Sequence, residues 1–404
     1  MTIVSGPKIV DDGLIFHYDM GNASKSFKGK PTTNLNSEDI PDLEQIGSPT
    51  LTQYSSQTPI GTTAYTVTDS STSNYQYIRR LGVATIPNDT STYYLSLYIR
   101  KQAGAERFGI NWGFEGGGTP ISNNSRFNTK TGVASGSGTA GGSVVDLGEW
   151  WRWIVTSSNN ATGNTSLNVS IYPAAGQNGS DDPTATGTVV ISALQVETGS
   201  FATPYVSGTR SNTQAIVDLT GNNTITATSL TYNSDGTFSF DGSSNHLSFN
   251  LPASYTNYSI EYWVKMDTVS VQQRWFSNGN TGTFTLYYNG GWAFHFNPLA
   301  GTPPSITTGN VGSSATSVGV WNHVVATNDQ SNSTTGAKCY VNGAFLGSAI
   351  PAVSLASGGN KIGSREGTTN FGDGQCAIAR IYNRVLSAAE VAQNFNASRT
   401  RFGI

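Results

Sequence analysis

The chain has 404 residues and a formal net charge of −3, and only 12% of its residues are charged while 11% are aromatic. So many rings exclude a disordered chain, because disordered segments lack aromatics, and the missing basic cluster argues against nucleic acid as a partner. No stretch approaches the ~20 apolar residues of a membrane helix, so no membrane insertion is expected, and the length favours two or three domains, each with its own core.

The opening MTIVSGPKIVDDGLIFHYDM is interrupted by Asp11 and Asp12 and does not read as a secretion signal. Leu14-Ile15-Phe16-His17-Tyr18 is the first predicted strand, followed by a candidate boundary at 28–33, KGKPTT. Tyr94-Leu95-Ser96-Leu97-Tyr98-Ile99, Phe108-Gly109-Ile110-Asn111-Trp112 and Trp151-Arg152-Trp153-Ile154-Val155 continue the strand pattern. Residues 132–143 and 176–187, small and polar, are expected as long exposed loops. A second boundary falls at 205–213, and Phe284-Thr285-Leu286-Tyr287-Tyr288 is a later strand. One helix is predicted at the C-terminus, where Ser387-Ala388-Ala389-Glu390 forms a capping box and Val391 and Phe395 share a face. Short strands with frequent turns imply sandwiches or barrels and not a parallel α/β sheet. Cys339 and Cys376 cannot build a disulfide framework. They are expected as buried thiols in a chain made in a reducing compartment.

From Asp218 onward an ordered series of segments resembles a concanavalin A-like lectin/glucanase domain of the laminin-G type. The series is Asp218-Leu219-Thr220-Gly221-Asn222, Phe240-Asp241-Gly242, Ser259-Ile260-Glu261-Tyr262-Trp263-Val264, Trp321-Asn322-His323-Val324-Val325, Lys338-Cys339-Tyr340-Val341-Asn342-Gly343, Lys361-Ile362-Gly363 and Ala377-Ile378-Ala379-Arg380-Ile381-Tyr382. The closing Arg401-Phe402-Gly403-Ile404 is similar to the chain ends of phage structural proteins that carry this domain. Between the two boundaries, Thr33-Asn34-Leu35, the strand around Tyr98, Trp150-Trp151-Arg152 and Phe201-Ala202-Thr203-Pro204-Tyr205 resemble a carbohydrate-binding-module-like jelly roll. In the laminin-G-type family a strand such as 13–19 leads within a short loop to an Asp-Leu-Thr-Gly-Asn segment. Here the whole jelly-roll block intervenes. The expected fold is therefore all-β: two β-sandwich (jelly-roll) domains, one inserted into the other, with a short C-terminal helix. Residues 1–33 plus 211–404 form the discontinuous lectin domain, and 34–210 form the insert.

Glucanases on this fold place carboxylates at Glu-x-Asp-x-x-Glu, on one strand face about 5 Å apart. No such triplet occurs, and Glu261 has no second acid at the right offset, so no enzymatic activity is expected. His17, His246, His295 and His323 lack metal-ligand spacing. No cofactor is expected. Calcium is the ion that the resemblance brings up, and Asp218 and Asp373 are the acids in suitable loops, but neither belongs to a dense oxygen cluster and no ligand is assigned. Sugar sites pair a ring, which stacks on a pyranose face, with amides and charges that take hydroxyls. The residues read in this way are Tyr98 and Arg100 on one strand face, Asn111 and Trp112 on the next aromatic strand, and Trp292 after the Gly290-Gly291 turn. Sandwich core is the competing role for each ring.

The resemblances and the low-charge, Ser-, Thr-, Gly- and Asn-rich composition lead to one expectation. It is a phage virion protein, a capsid-decorating or tail-fibre component, located in the virion after assembly in the host cytoplasm. Its expected partners are other virion proteins, host-surface glycans and further copies of itself. The rivals are a purely structural virion protein without sugar binding, a glycan-degrading enzyme on the same fold, and a bacterial surface lectin.

Overall fold

Strand Leu14–Asp19 pairs antiparallel with Asp373–Tyr382, nearly the whole chain away. The computed structural model describes residues 8–404 except 23–24, 57, 102–106, 137–142, 176–182, 236, 269–272, 279–283, 289–291, 297–304, 308–317 and 352–353. For 284–288, 292–296 and 305–307 it describes the strand backbone alone. Two compact units result, Met1–Pro31 with Ser211–Ile404, and Thr32–Arg210. One β-sandwich is inserted into the other. The chain leaves the first unit where Phe27 bridges Ile216, and the insert closes on itself where Thr32–Thr33 pairs with Thr209–Arg210.

In the discontinuous unit, the described residues form an eight-stranded and a seven-stranded antiparallel sheet. Tyr258–Met266 and Asp373–Tyr382 are adjacent central strands of the first. The strand run of Leu, Ile, Phe and Tyr at 14–18 needs partners for its side chains and its backbone groups, and finds both here. Phe16 stacks on Phe249 of the other sheet at 4.0 Å between centroids. Burial of a ring of that size stabilises by about 1.5–3 kcal/mol. The outer face of the eight-stranded sheet is sealed by Ala388–Ser398, the only α-helix among the described residues. Ser387 and Glu390 close the capping box at its start. Phe395 and the following Phe402 stack on Trp263, at 5.8 and 4.2 Å.

Two six-stranded antiparallel sheets face each other in the insert. One runs Ala134–Gly136, Ile121–Phe127, Phe108–Glu115, Ser166–Tyr172, Tyr77–Thr85, Glu44–Ile46. The other runs Ser143–Asp146, Trp150–Ser158, Thr92–Arg100, Gly187–Thr198, Ala64–Asp69, Thr50–Tyr54. Rings interlock across the layer, with Tyr93 against Phe114 at 5.2 Å and Trp153 against Phe127 at 5.0 Å. Part of the loop expected at 132–143 is strand: Ala134–Gly136 pairs with Phe127, Arg126 and Ser125 and completes the first sheet's edge. The backbone hydrogen bonds available at that edge outweigh the small, polar composition of the segment. Of the loop expected at 176–187, residues 176–182 lie outside the described residues, while Gly187 already begins a strand.

Candidate functional site

Strict alternation in Ser166–Tyr172 sends Leu167, Val169 and Ile171 into the core of the insert and leaves Asn168, Ser170 and Tyr172 on the outer face. The neighbouring strand does the same. Phe108, Ile110, Trp112 and Phe114 point inward, so Gly109, Asn111 and Gly113 face out. Register then assembles a surface. Tyr172 is opposite Gly109, and Gly109 is opposite Arg126. In the next row Glu44, Arg79, Ser170, Asn111 and Asn124 follow one another across five strands.

This face has an aromatic end and an amide centre. Tyr77 stacks on Tyr172 at 4.4 Å and 25°, and Tyr75 meets Tyr172 edge-on at 6.0 Å. Asn111 Nδ2 donates to Asn124 Oδ1 at 2.9 Å, and Ser122 Oγ donates to Asn111 Oδ1 at 3.4 Å. Asn168 Oδ1 accepts from the Gly82 backbone at 2.7 Å. Arg79 grips Glu44 through two hydrogen bonds, at 2.8 and 3.2 Å, and holds that carboxyl below its ordinary range. The guanidinium of Arg126 lies over Gly109, where an added Cβ would come within 2.9 Å of its Nη1. The missing side chain of Gly109 leaves room for that passage across the strand. Beside it Arg107, Arg126, Asn128, Thr131 and Ser135 line a pocket of about 220 Å3. Chemically the face offers rings for stacking and amides and hydroxyls for hydrogen bonding. Its Arg79–Glu44 pair is internally neutralised.

Of the residues singled out from the sequence, Asn111 lies on this face. Trp112 does not: its exposure is 0% and it packs in the core against Phe114 at 6.0 Å. Adjacent residues on a strand point to opposite sides, so Asn111 and Trp112 cannot share a sugar. Tyr98 is also withdrawn from solvent, at 4% exposure. It does face outward with Arg100, but from the opposite sheet, and it packs in a small cluster with Trp150 and Ala193 that Tyr205 adjoins. The segment around Thr203 is tied down over that sheet. Glu197 accepts from the Thr203 backbone and hydroxyl, both at 2.7 Å, and Arg152 donates to the Thr203 carbonyl. Arg100 sits 5.0 Å from the Tyr54 ring centre and 3.6 Å from Glu149. Trp292 opens a described strand, but its side chain lies outside the described residues. Tyr98, Arg100, Asn111 and Trp112 do not form one groove. Sequence pattern does not single out Tyr77 and Tyr172, because a tyrosine at a strand end is compatible with core; the parity of 166–172 is the signal that finds Tyr172, and register against it adds Tyr77.

Glu261 and Asp218 of the discontinuous unit are used internally. His17, Arg380 and Glu261 form one cross-strand row. Glu261 also receives Asn394 Nδ2 at 2.6 Å and has His323 Nε2 at 3.2 Å. Burial pushes its carboxyl up, yet Arg380, His323 and Asn394 outweigh that and bring it down to about 2. An ion-paired, sealed carboxylate cannot deliver a proton to a substrate. Asp218 accepts from the His17, Thr220 and Asn223 backbones and from two side chains, which locks its loop. Asp373 is pushed up by burial and by Asp267 and Asp241. Among the described residues no group of three His, Cys, Asp or Glu is placed to hold a metal. Cys339 and Cys376 are buried free thiols.

No curated protein sequence matches the chain. Among solved structures, the botulinum neurotoxin serotype D binding domain is 17% identical with a TM-score of 0.36, covering 45% of this chain and 49% of that one. The serotype G binding domain is 17% identical with a TM-score of 0.36, covering 45% and 48%. The binding domain of Paraclostridial Mosquitocidal Protein 1 is 18% identical with a TM-score of 0.35, covering 45% and 49%. The chain spans about half the length of each, and at these scores the likeness assigns no function. Residues 241–392 match the family model of the Concanavalin A-like lectin/glucanases superfamily. The discontinuous unit therefore carries a lectin-like β-sandwich domain of the concanavalin A-like, laminin-G type.

Proposed function

We propose that this protein is a non-enzymatic glycan-attachment protein, and that the outer face centred on Asn111 and Tyr172 binds a neutral saccharide. The carrying observation is the juxtaposition of the Tyr75–Tyr77–Tyr172 rings with the Asn111–Asn124 amide pair on one sheet face. A pyranose has an apolar face for a ring and hydroxyls for amides, and both complements lie here within neighbouring rows. The sealed Glu261 supports binding over hydrolysis. Glycan-array binding by the full chain, lost in Tyr172→Ala and Asn111→Ala, is the expected result. Undiminished binding by both variants would remove the face from the reading.

We further propose that the protein acts in a phage virion, as a capsid-decorating or tail-fibre component, with other virion proteins and copies of itself as partners. This rests on the composition and on the resemblances carried by the two sequence blocks. Mass spectrometry of purified virions tests it, and absence of the chain from the particles would overturn it. A concentration-independent monomer in light scattering would count against self-association. If the chain is in the virion but binds no glycan, its role is structural.

A further inference from the structure

Three neighbouring strands of the discontinuous unit place Thr226, Ser248 and Lys361 in one row. The adjacent row, Ala227, Leu247 and Ile362, is core, so alternation turns the first row outward. There it lines a pocket of about 350 Å3 together with Thr224, Asn250 and Asn360. The pocket belongs wholly to this unit and shares no residue with the tyrosine–amide face of the insert.

Lys361 is the only charged residue of the lining. Burial pushes its amine down, with no carboxylate to offset the effect, and it makes no ion pair among the described residues. A titratable neighbour that feels this charge is His246, on the strand of Ser248. Burial and Lys361 hold that imidazole below its usual value, while the Ser244 carbonyl pulls it up. A half-buried cation with no ion-pair partner among the described residues keeps only part of its hydration. An anion entering the pocket restores that interaction as a charge-assisted hydrogen bond. Around it the lining supplies threonine and serine hydroxyls and asparagine amides, the groups that pair with sugar hydroxyls.

We propose that this pocket binds an anionic saccharide, with the carboxylate or sulfate against Lys361 and the ring hydroxyls on Thr226, Ser248 and Asn250. The volume lies near the lower end of ligand pockets, about 300–1,000 Å3, which suits one or two sugar rings. The site is independent of the neutral-saccharide face, and either can hold without the other.

Isothermal titration of the full chain tests the proposal with three probes: a uronate-containing tetrasaccharide, the same compound with its carboxylates methyl-esterified, and a uronate-free tetrasaccharide carrying O-sulfates. The expected result is binding of the uronate probe, the sulfated probe or both, with the ester at least about tenfold weaker than its parent acid if the carboxylate is the bound group. Lys361→Met should weaken the bound anion by about tenfold to a hundredfold. Thr226→Glu, which sets a carboxylate in the pocket without touching Lys361, should do the same. Tyr172→Ala should leave this binding unchanged, which separates it from the neutral-saccharide reading. Failure of both anionic probes to bind overturns the proposal, as does equal binding of a uronate probe and its ester without sulfate binding. Full-strength anion binding in a folded Lys361→Met or Thr226→Glu variant overturns it too.

Discussion

Glu261 and Arg380 are direct cross-strand partners in the eight-stranded sheet, at 0% and 2% exposure, beneath a helix whose Asn394 completes the carboxylate's hydrogen bonds. Removing one partner strands a charge that water cannot reach. Arg380→Met should therefore cost about 3–5 kcal/mol. The double variant Glu261→Leu/Arg380→Met should lose less than the sum of the two single changes. Urea unfolding of the three variants against the parent measures the coupling, and strict additivity would show the pair to be energetically independent.

The same row sets a pH dependence. Burial, reinforced by Arg380, pushes His17 down from 6.5 to about 4. Between those values the unfolded chain binds a proton that the folded chain refuses, so stability is complete above about pH 6.5 and is lost as pH falls toward 4. The difference is worth roughly 3 kcal/mol at the low end. Glu261, held down to about 2, adds a second window. Its contribution is complete above the unfolded value of about 4.3 and disappears as pH falls through 2. Stability measured from pH 8 to pH 4 should fall for the parent and stay flatter for His17→Asn. Parallel curves would refute the assignment.

Trp112 and Tyr172 should separate stability from binding. Trp112 is sealed in the insert's core, and Trp112→Ala should cost about 3–5 kcal/mol. Tyr172 is a half-buried outer ring, and Tyr172→Ala should leave unfolding near the parent while weakening glycan binding about tenfold. Thermal unfolding and glycan titration on both variants check this. A severe loss of stability in Tyr172→Ala would make its ring a packing element.

Much of this architecture is readable in local pattern, because strand alternation and turn chemistry act over a few residues. The apolar run at 14–18 and the capping box at Ser387 and Glu390 are such signals, and both elements form. What pattern cannot supply is parity relative to the core and the cover added by distant chain. Asn111 and Trp112 alternate legibly, but which of them faces out depends on the second sheet. Tyr98 has the outward parity expected of it, yet residues a hundred positions later cover it. The row of Tyr172, Gly109 and Arg126 exists only through strand register, and Tyr172 reaches Gly109 across a long sequence separation. Lys361 looks from sequence like one strand lysine among several, and acquires its setting from Thr226 and Ser248.

The cover over Tyr98 is itself a separable element. Glu197, buried at the end of its strand, accepts from the Thr203 backbone at 2.7 Å, the Thr203 hydroxyl at 2.7 Å, Gln195 Nε2 at 2.7 Å and Thr32 Oγ1 at 2.9 Å. Glu197→Ala leaves these donors without that acceptor, and each buried unmet donor costs about 1–3 kcal/mol. The segment around Thr203 lies outside the interlocked rings between the sheets, so the loss should open it locally before the sandwich melts. Limited proteolysis should then cut Glu197→Ala near residues 199–206 under conditions that leave the parent intact. Trp150, in the cluster adjoining Tyr205, should gain accessibility to a fluorescence quencher. If the variant unfolds in a single transition with no early cleavage at 199–206, the segment is part of the sandwich's cooperative core and not a cover over it.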